Sequence, residues 1–169
     1  MVYAAHNSGK MSKEFTDLDE REILALAIAL EEEDSRIYRD FAEKLKADHP
    51  TTASILESMW AEEIGHHARL MATFKQEYGD HIPFVRRQDV KGFVKRRPMW
   101  LNRILQPRRV LGAAMAMEAE TRRFYREAAN NVTSAELRKL LIELADAEED
   151  HQDALVDLTQ VKTSEQPGE

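Results

Sequence analysis

Cysteine is missing from all 169 residues. Its absence excludes disulfides, zinc–thiolate sites, thiol nucleophiles and iron held by thiolates, and it leaves the redox compartment unreadable. Glycine and proline are scarce, at six and five, which argues against fibrous or low-complexity architectures. Long apolar runs are missing as well. The longest, Ile23 to Leu30, covers eight residues, against the roughly 20 that cross a bilayer. The stretch from Met1 to Met11 has no hydrophobic signal core and reads as a flexible leader, with the folded domain starting after residue 15. Excess positive charge is also lacking: the formal net charge of −7 argues against general nucleic-acid binding. What remains is 33 % charged and 43 % hydrophobic, over a length that suits one domain with a single core.

Four segments repeat apolar residues at helical spacing between start and stop signals. The first is expected to open at a capping box formed by Asp17 and Glu20 and to run to about Ala47, ahead of Pro50. The second starts at Thr51 or Thr52 and ends near Tyr78, where Gly79 can supply a left-handed turn. A third begins after Pro107 and fades at Asn130-Asn131. A fourth opens at Thr133 with Glu136 as a second capping box and continues to about Val161, leaving 162–169 as a polar tail. The fold class is therefore all-α: one domain over 16–161, built as a four-helix bundle.

The two halves of that domain match. Ala27, Glu31, Arg36 and Tyr38 recur 87 residues later as Ala114, Glu118, Arg123 and Tyr125. Leu56, Glu63, His66 and Leu70 recur 85 residues later as Leu141, Glu148, His151 and Leu155. Two helical hairpins related by a pseudo-twofold axis account for both offsets. Between them, residues 80–108 are too long for a tight turn and read as a crossover along the bundle. From Arg86 to Arg109 this segment holds nine Lys or Arg against one acid, Asp89. Interleaved apolar residues from Phe93 to Leu105 suggest a short amphipathic helix. Either it neutralises an acidic bundle and packs on a partner subunit, or it meets an anionic membrane surface.

The chemistry lies in two Glu-x-x-His triplets, Glu63 with His66 and Glu148 with His151, each preceded by a helix carrying Glu-x6-Tyr, Glu31 with Tyr38 and Glu118 with Tyr125. A carboxylate and an imidazole three residues apart on a helix share a face and can hold one metal ion. Chance supplies about 0.7 such triplets in a chain of this composition. One would mean little, but two at matching places are harder to dismiss. Each of these residues also falls on an apolar stripe, as in Leu137, Leu141, Leu144, Glu148, His151, Leu155. Four carboxylates in one core would repel one another and cost several kcal/mol apiece unless protonated or paired with cations. Two divalent ions supply that charge, and carboxylate oxygens with one imidazole per metal suit iron, with manganese as the alternative.

Neighbouring residues are less sharply defined. Tyr38 and Tyr125 either hydrogen-bond ligand carboxylates or fill core. Asp34 and Glu62 are candidates for an extra metal contact, and His67 replaces His66 if the helix register shifts by one. His6, His49 and His81 have no partner pattern and read as surface.

Together, Glu31, Tyr38, Glu63, His66, Glu118, Tyr125, Glu148 and His151 form the ligand pattern of ferritin-like di-iron bundles. Including the wording of helix one around Glu31 to Ala42, the chain resembles the rubrerythrin-like branch of the ferritin superfamily. It is most similar to the N-terminal domain of bacterial erythrin and vacuolar-iron-transporter fusion proteins, also called membrane-bound ferritin. The resemblance spans about Asp17 to Val161. It implies a ferritin-like fold with two irons held by Glu31, Glu63, His66, Glu118, Glu148 and His151. It also implies Fe(II) binding with oxidation by oxygen or hydrogen peroxide, on the cytoplasmic side of the bacterial inner membrane, beside a transporter domain. A homodimer is expected, with no nucleic acid as partner. The sequence departs from this pattern in lacking the transporter, the cysteine-ligated iron of rubrerythrins proper, and their extra glutamate one turn past Glu118, where Thr121 stands. Iron sensing or delivery without turnover, and peroxide reduction with an outside electron donor, therefore stay open beside ferroxidase chemistry.

Overall fold

The computed structural model describes residues 13–91 and 106–164, with side chains as far as residue 160. Four helices carry the chain: α1 (Glu20–Leu45), α2 (Pro50–Tyr78), α3 (Pro107–Asn131) and α4 (Ala135–Ser164). Short 3-10 turns lie at Phe15–Asp17 and Arg87–Asp89. Pro107 and Pro50 each occupy a first-turn position, where the missing N–H costs nothing. Gly79 closes α2 at φ 80, a conformation that a side chain would oppose, and its N–H reaches Lys75 O at 3.0 Å.

Two helix starts differ from the expected ones, and one residue explains both. The cap of α1 is Asp19, which accepts from Glu22 N at 2.8 Å while Glu22 returns a bond to Asp19 N. Asp17 instead closes the preceding 3-10 turn by accepting from Glu14 N. Glu20, released from that task, crosses to the start of α4 and accepts from Thr133 N at 2.6 Å, Thr133 Oγ1 at 2.8 Å and Ser134 N at 3.0 Å. Ser134 then caps α4 through Leu137 N at 3.2 Å, so the expected box of Thr133 with Glu136 does not form. The fold also includes residues 13–15, ahead of the expected domain start at 16. Phe15 is buried edge-on against Phe124, with ring centroids 5.8 Å apart, and Lys13 exchanges backbone hydrogen bonds with Asp89 and Lys91. At the other end α4 continues past Val161 to Ser164.

Helix α1 packs chiefly on α2, and α3 chiefly on α4. The direction of α3 follows from two bonds between the hairpins, Tyr38 to Glu118 and Tyr125 to Glu31. As the residue number rises on α1 it falls on α3, so these helices are antiparallel. Since α2 also opposes α1, helices α2 and α3 are parallel. The end of α2 and the start of α3 therefore lie at opposite ends of the bundle, about 44 Å apart for a 29-residue helix. The described start of the link between them, 79–91, is pinned to α1 by an Arg87–Glu33 ion pair. The amphipathic helix expected between Phe93 and Leu105 lies outside the described residues.

The interior is divided in two. One apolar cluster holds Ile23, Leu24, Leu70, Phe74, Phe124 and Leu141, among others. The second holds Tyr38, Phe41, Leu56, Leu111, Met117 and Leu155. Each fully buried Leu or Phe contributes roughly 1.5–3 kcal/mol relative to exposure. Between the clusters lies a layer of charge.

Candidate metal centre

Every helix sends charged groups into that layer: Glu31 from α1, Glu63 and His66 from α2, Glu118 from α3, Glu148 and His151 from α4. The carboxylates are sealed from solvent, Glu31 and Glu148 at 0 % exposure and Glu63 and Glu118 at 1 %. His66 Nδ1 stands 3.3 Å from Glu63, 3.6 Å from Glu31 and 3.7 Å from Glu148. His151 Nδ1 stands 3.2 Å from Glu63 and 3.7 Å from both Glu118 and Glu148. The rings lie nearly parallel, 5.8 Å apart. Two ligand groups result, Glu31–Glu63–His66–Glu148 and Glu63–Glu118–Glu148–His151, each with its donor atoms within 4.8 Å of one another. Glu63 and Glu148 belong to both.

The tyrosine hydroxyls cross the pseudo-twofold axis: Tyr38 donates to Glu118 and Tyr125 to Glu31, so each hairpin anchors the other's carboxylate. Asp34 is buried but accepts from Thr121 Oγ1 at 2.9 Å, outside both ligand groups. These two are themselves pseudo-equivalent, 87 residues apart. Glu62, on the rim, places Oε2 2.8 Å from His151 Nε2, the nitrogen that faces away from the carboxylates. It touches the ligand, not the ligand cluster. His67 joins neither group, which leaves His66 in register. Glu32 pairs with Arg36, and Glu149 with Arg122 and Arg126, on the surface. His81 is exposed and His49 half-buried, while His6 lies outside the described residues.

Burial and mutual repulsion sort the charges. Burial pushes the Glu31 carboxyl up to about 8 and raises Glu148 well above the carboxylate range, the latter helped by Glu118. Burial also opposes ionisation of Glu63 and Glu118. There the hydrogen-bonding neighbours prevail, both imidazoles for Glu63, and Glu148 with His151 for Glu118, and both carboxyls are lowered. Burial works against imidazolium too, yet Glu31 and Glu63 lift His66 to about 9, and Glu118, Glu148 and Glu63 lift His151 further. In the metal-free cluster the two imidazoles are thus shifted toward the charged form and Glu31 and Glu148 toward the neutral one, which offsets part of the mutual repulsion.

Hydrogen bonding is not balanced. Glu31 Oε2, Glu63 Oε1, Glu118 Oε2, both Glu148 oxygens and His151 Nδ1 are buried with no partner in hydrogen-bond alignment, the 3.2 Å contact of His151 Nδ1 with Glu63 being an ion pair that misses it. Orphaned buried polar atoms cost about 1–3 kcal/mol each, and these converge on one point. Oxygen donors from four carboxylates with one imidazole nitrogen per group are the donor set of a divalent iron or manganese ion. The residues present therefore fit a pair of such ions.

A bundle of two hairpins around a buried carboxylate–imidazole layer defines a ferritin-like helical protein. Comparison places it more narrowly: the rubrerythrin family model matches residues 22–159, and the chain belongs to that family. An uncharacterised conserved protein from Magnetospirillum magnetotacticum MS-1 shares the fold at a TM-score of 0.71 and 23 % identity, covering 90 % of this chain and 99 % of that one. A hypothetical protein from Pyrococcus furiosus does so at 0.70 and 20 %, covering 91 % and 96 %. Among curated proteins, nothing matches.

Proposed function

We propose that this chain is a di-iron domain that binds Fe(II) and oxidises it with oxygen or hydrogen peroxide. Glu31, Glu63, His66, Glu118, Glu148 and His151 are the proposed ligands, with Glu63 and Glu148 serving both ions. Manganese is the alternative metal. The observation that carries the reading is the pair of overlapping ligand groups, each three buried carboxylates and one imidazole, lined with unbonded lone pairs.

When bound, two adjacent irons supply two electrons at one place to an oxidant. The protein's part is to hold and shield. Tyr38 and Tyr125 fix the two unshared carboxylates, while the apolar clusters on either side keep bulk water out. Because the chain has no cysteine, electrons for repeated peroxide reduction would come from an outside donor. That is the second reading, and membership of the rubrerythrin family favours it. A third, iron delivery without turnover, follows from the resemblance to domains fused to iron transporters. It would place the chain at the cytoplasmic face of a bacterial inner membrane, passing iron to a transporter domain. No described helix is long and apolar enough to cross a membrane. A homodimer is proposed on the exposed apolar side chains Ile64 and Met71, two helical turns apart on α2.

Anaerobic Fe(II) loading followed by separate exposure to oxygen and to peroxide tests the scheme. Oxidation gives a fast optical change with at least one of them, which Glu31→Ala abolishes. A delivery module gives none. Metal content unchanged in Glu31→Ala and His151→Ala would overturn the assignment of the site.

A further inference from the structure

We infer that the two metal positions are unequal and that Glu62 makes them so: the position beside His151 fills first and holds its ion more tightly than the one beside His66. The inference rests on the di-iron reading above and adds an order of filling to it. Glu63 and Glu148 serve both positions and cannot distinguish them. The unshared carboxylates, Glu31 and Glu118, are matched as well, each buried and each receiving one tyrosine hydroxyl. The imidazoles are not matched.

Each ring points Nδ1 into the cluster. Behind His151, Nε2 meets Glu62 at 2.8 Å. The position equivalent to Glu62 in the other half, 85 residues on, is Ala147, whose methyl group accepts nothing. Among the described residues no carboxylate lies within ion-pair distance of His66 Nε2. A carboxylate accepting from the outer nitrogen keeps the hydrogen on that nitrogen, so that the proton lost on ligation is the inner one, and it stiffens the ring and strengthens its donation. Such partners are worth about 10–100-fold in metal affinity. His66, with a side chain 16 % exposed against 5 % for His151, has an outer nitrogen left to water and must be ordered when an ion binds.

Glu62 is a positioning residue, and its exposed place on α2 (58 %) allows replacement without disturbing the core. Anaerobic calorimetric titration with Fe(II) is expected to resolve two binding steps in the unaltered protein. Glu62→Ala should weaken the tighter step by about 10–100-fold and leave the weaker one in place. Glu62→Gln, which keeps an acceptor without the charge, should recover most of the loss. Two equal steps in the unaltered protein would overturn the inference while leaving the di-iron reading intact. So would a Glu62→Ala variant that weakens both steps alike, or that lowers Tm and moves neither. Failure of the unaltered protein to bind Fe(II) would instead remove the reading on which the inference stands.

Discussion

The two halves of the centre are near copies whose differences lie at the rim. In the core, Glu31 and Glu118, Glu63 and Glu148, Tyr38 and Tyr125 occupy matched places and make matched contacts. One step outward the match ends: Glu62 stands behind one histidine, whereas Ala147 stands behind the other. The lesson is that the buried groups set what the centre can bind, while an exposed neighbour decides whether its two positions behave alike.

The largest expected effect comes from separating shared from unshared carboxylates. Glu63→Ala and Glu148→Ala each damage both ligand groups and should remove essentially all bound iron. Glu31→Ala and Glu118→Ala should each retain one ion. Metal per chain after anaerobic loading and desalting measures this, and equal losses in all four would break the proposed sharing. Proton release comes next. Glu31, Glu148, His66 and His151 all hold their protons more tightly than usual in the metal-free protein, since each is shifted upward. Ligation needs the deprotonated forms. Loading should therefore release up to four protons, and affinity should fall as pH falls. As pH rises through about 8 and 9, Glu31 and His66 lose their protons beforehand, and the release seen with an indicator dye should shrink.

In the packing, the halves should behave alike. Leu70 and Leu155 are pseudo-equivalent and both fully buried, in opposite clusters. Replacement of either by Ala should cost about 2–5 kcal/mol of unfolding free energy, and denaturant curves differing by more than that range would show that one hairpin carries the fold. The smallest effect belongs to Glu20, whose counterpart position on α3 is Pro107. Glu20→Gln should cost about 1 kcal/mol through weaker capping of α4. The Ser134 N–H above all, with Thr133, lowers the Glu20 carboxyl. Its contribution is present at neutral pH and is lost as pH falls below the ordinary carboxylate range, so the variant and its parent should converge in stability under acid.

Much of this was legible before any coordinates. Helix extents followed from apolar spacing, and the meeting of Glu31, Glu63, His66, Glu118, Glu148 and His151 followed from their interrupting the buried stripes. What escaped depended on relations between helices. That Tyr38 reaches Glu118 instead of its own helix's Glu31 is set by how α1 and α3 cross. Glu62 sits beside a ligand on a face that periodicity assigns to solvent, and its partner comes from α4, 89 residues away. Glu20 looked like half of a local cap because Asp17 lies three residues before it, while its real partners are 113 and 114 residues distant. A spacing rule sees neighbours along a helix and is blind to partners across one.

The succession of the two hairpins has a consequence for how the molecule comes into being. During translation Glu31, Glu63 and His66 emerge before Glu118, Glu148 and His151 are made, because the first hairpin precedes the second along the chain. Until then the nascent half displays acidic groups with nothing opposite them. Docking of the second hairpin closes the hydrophobic interior and completes the carboxylate–imidazole cluster in the same movement, so a chain that has not finished folding has no such cluster.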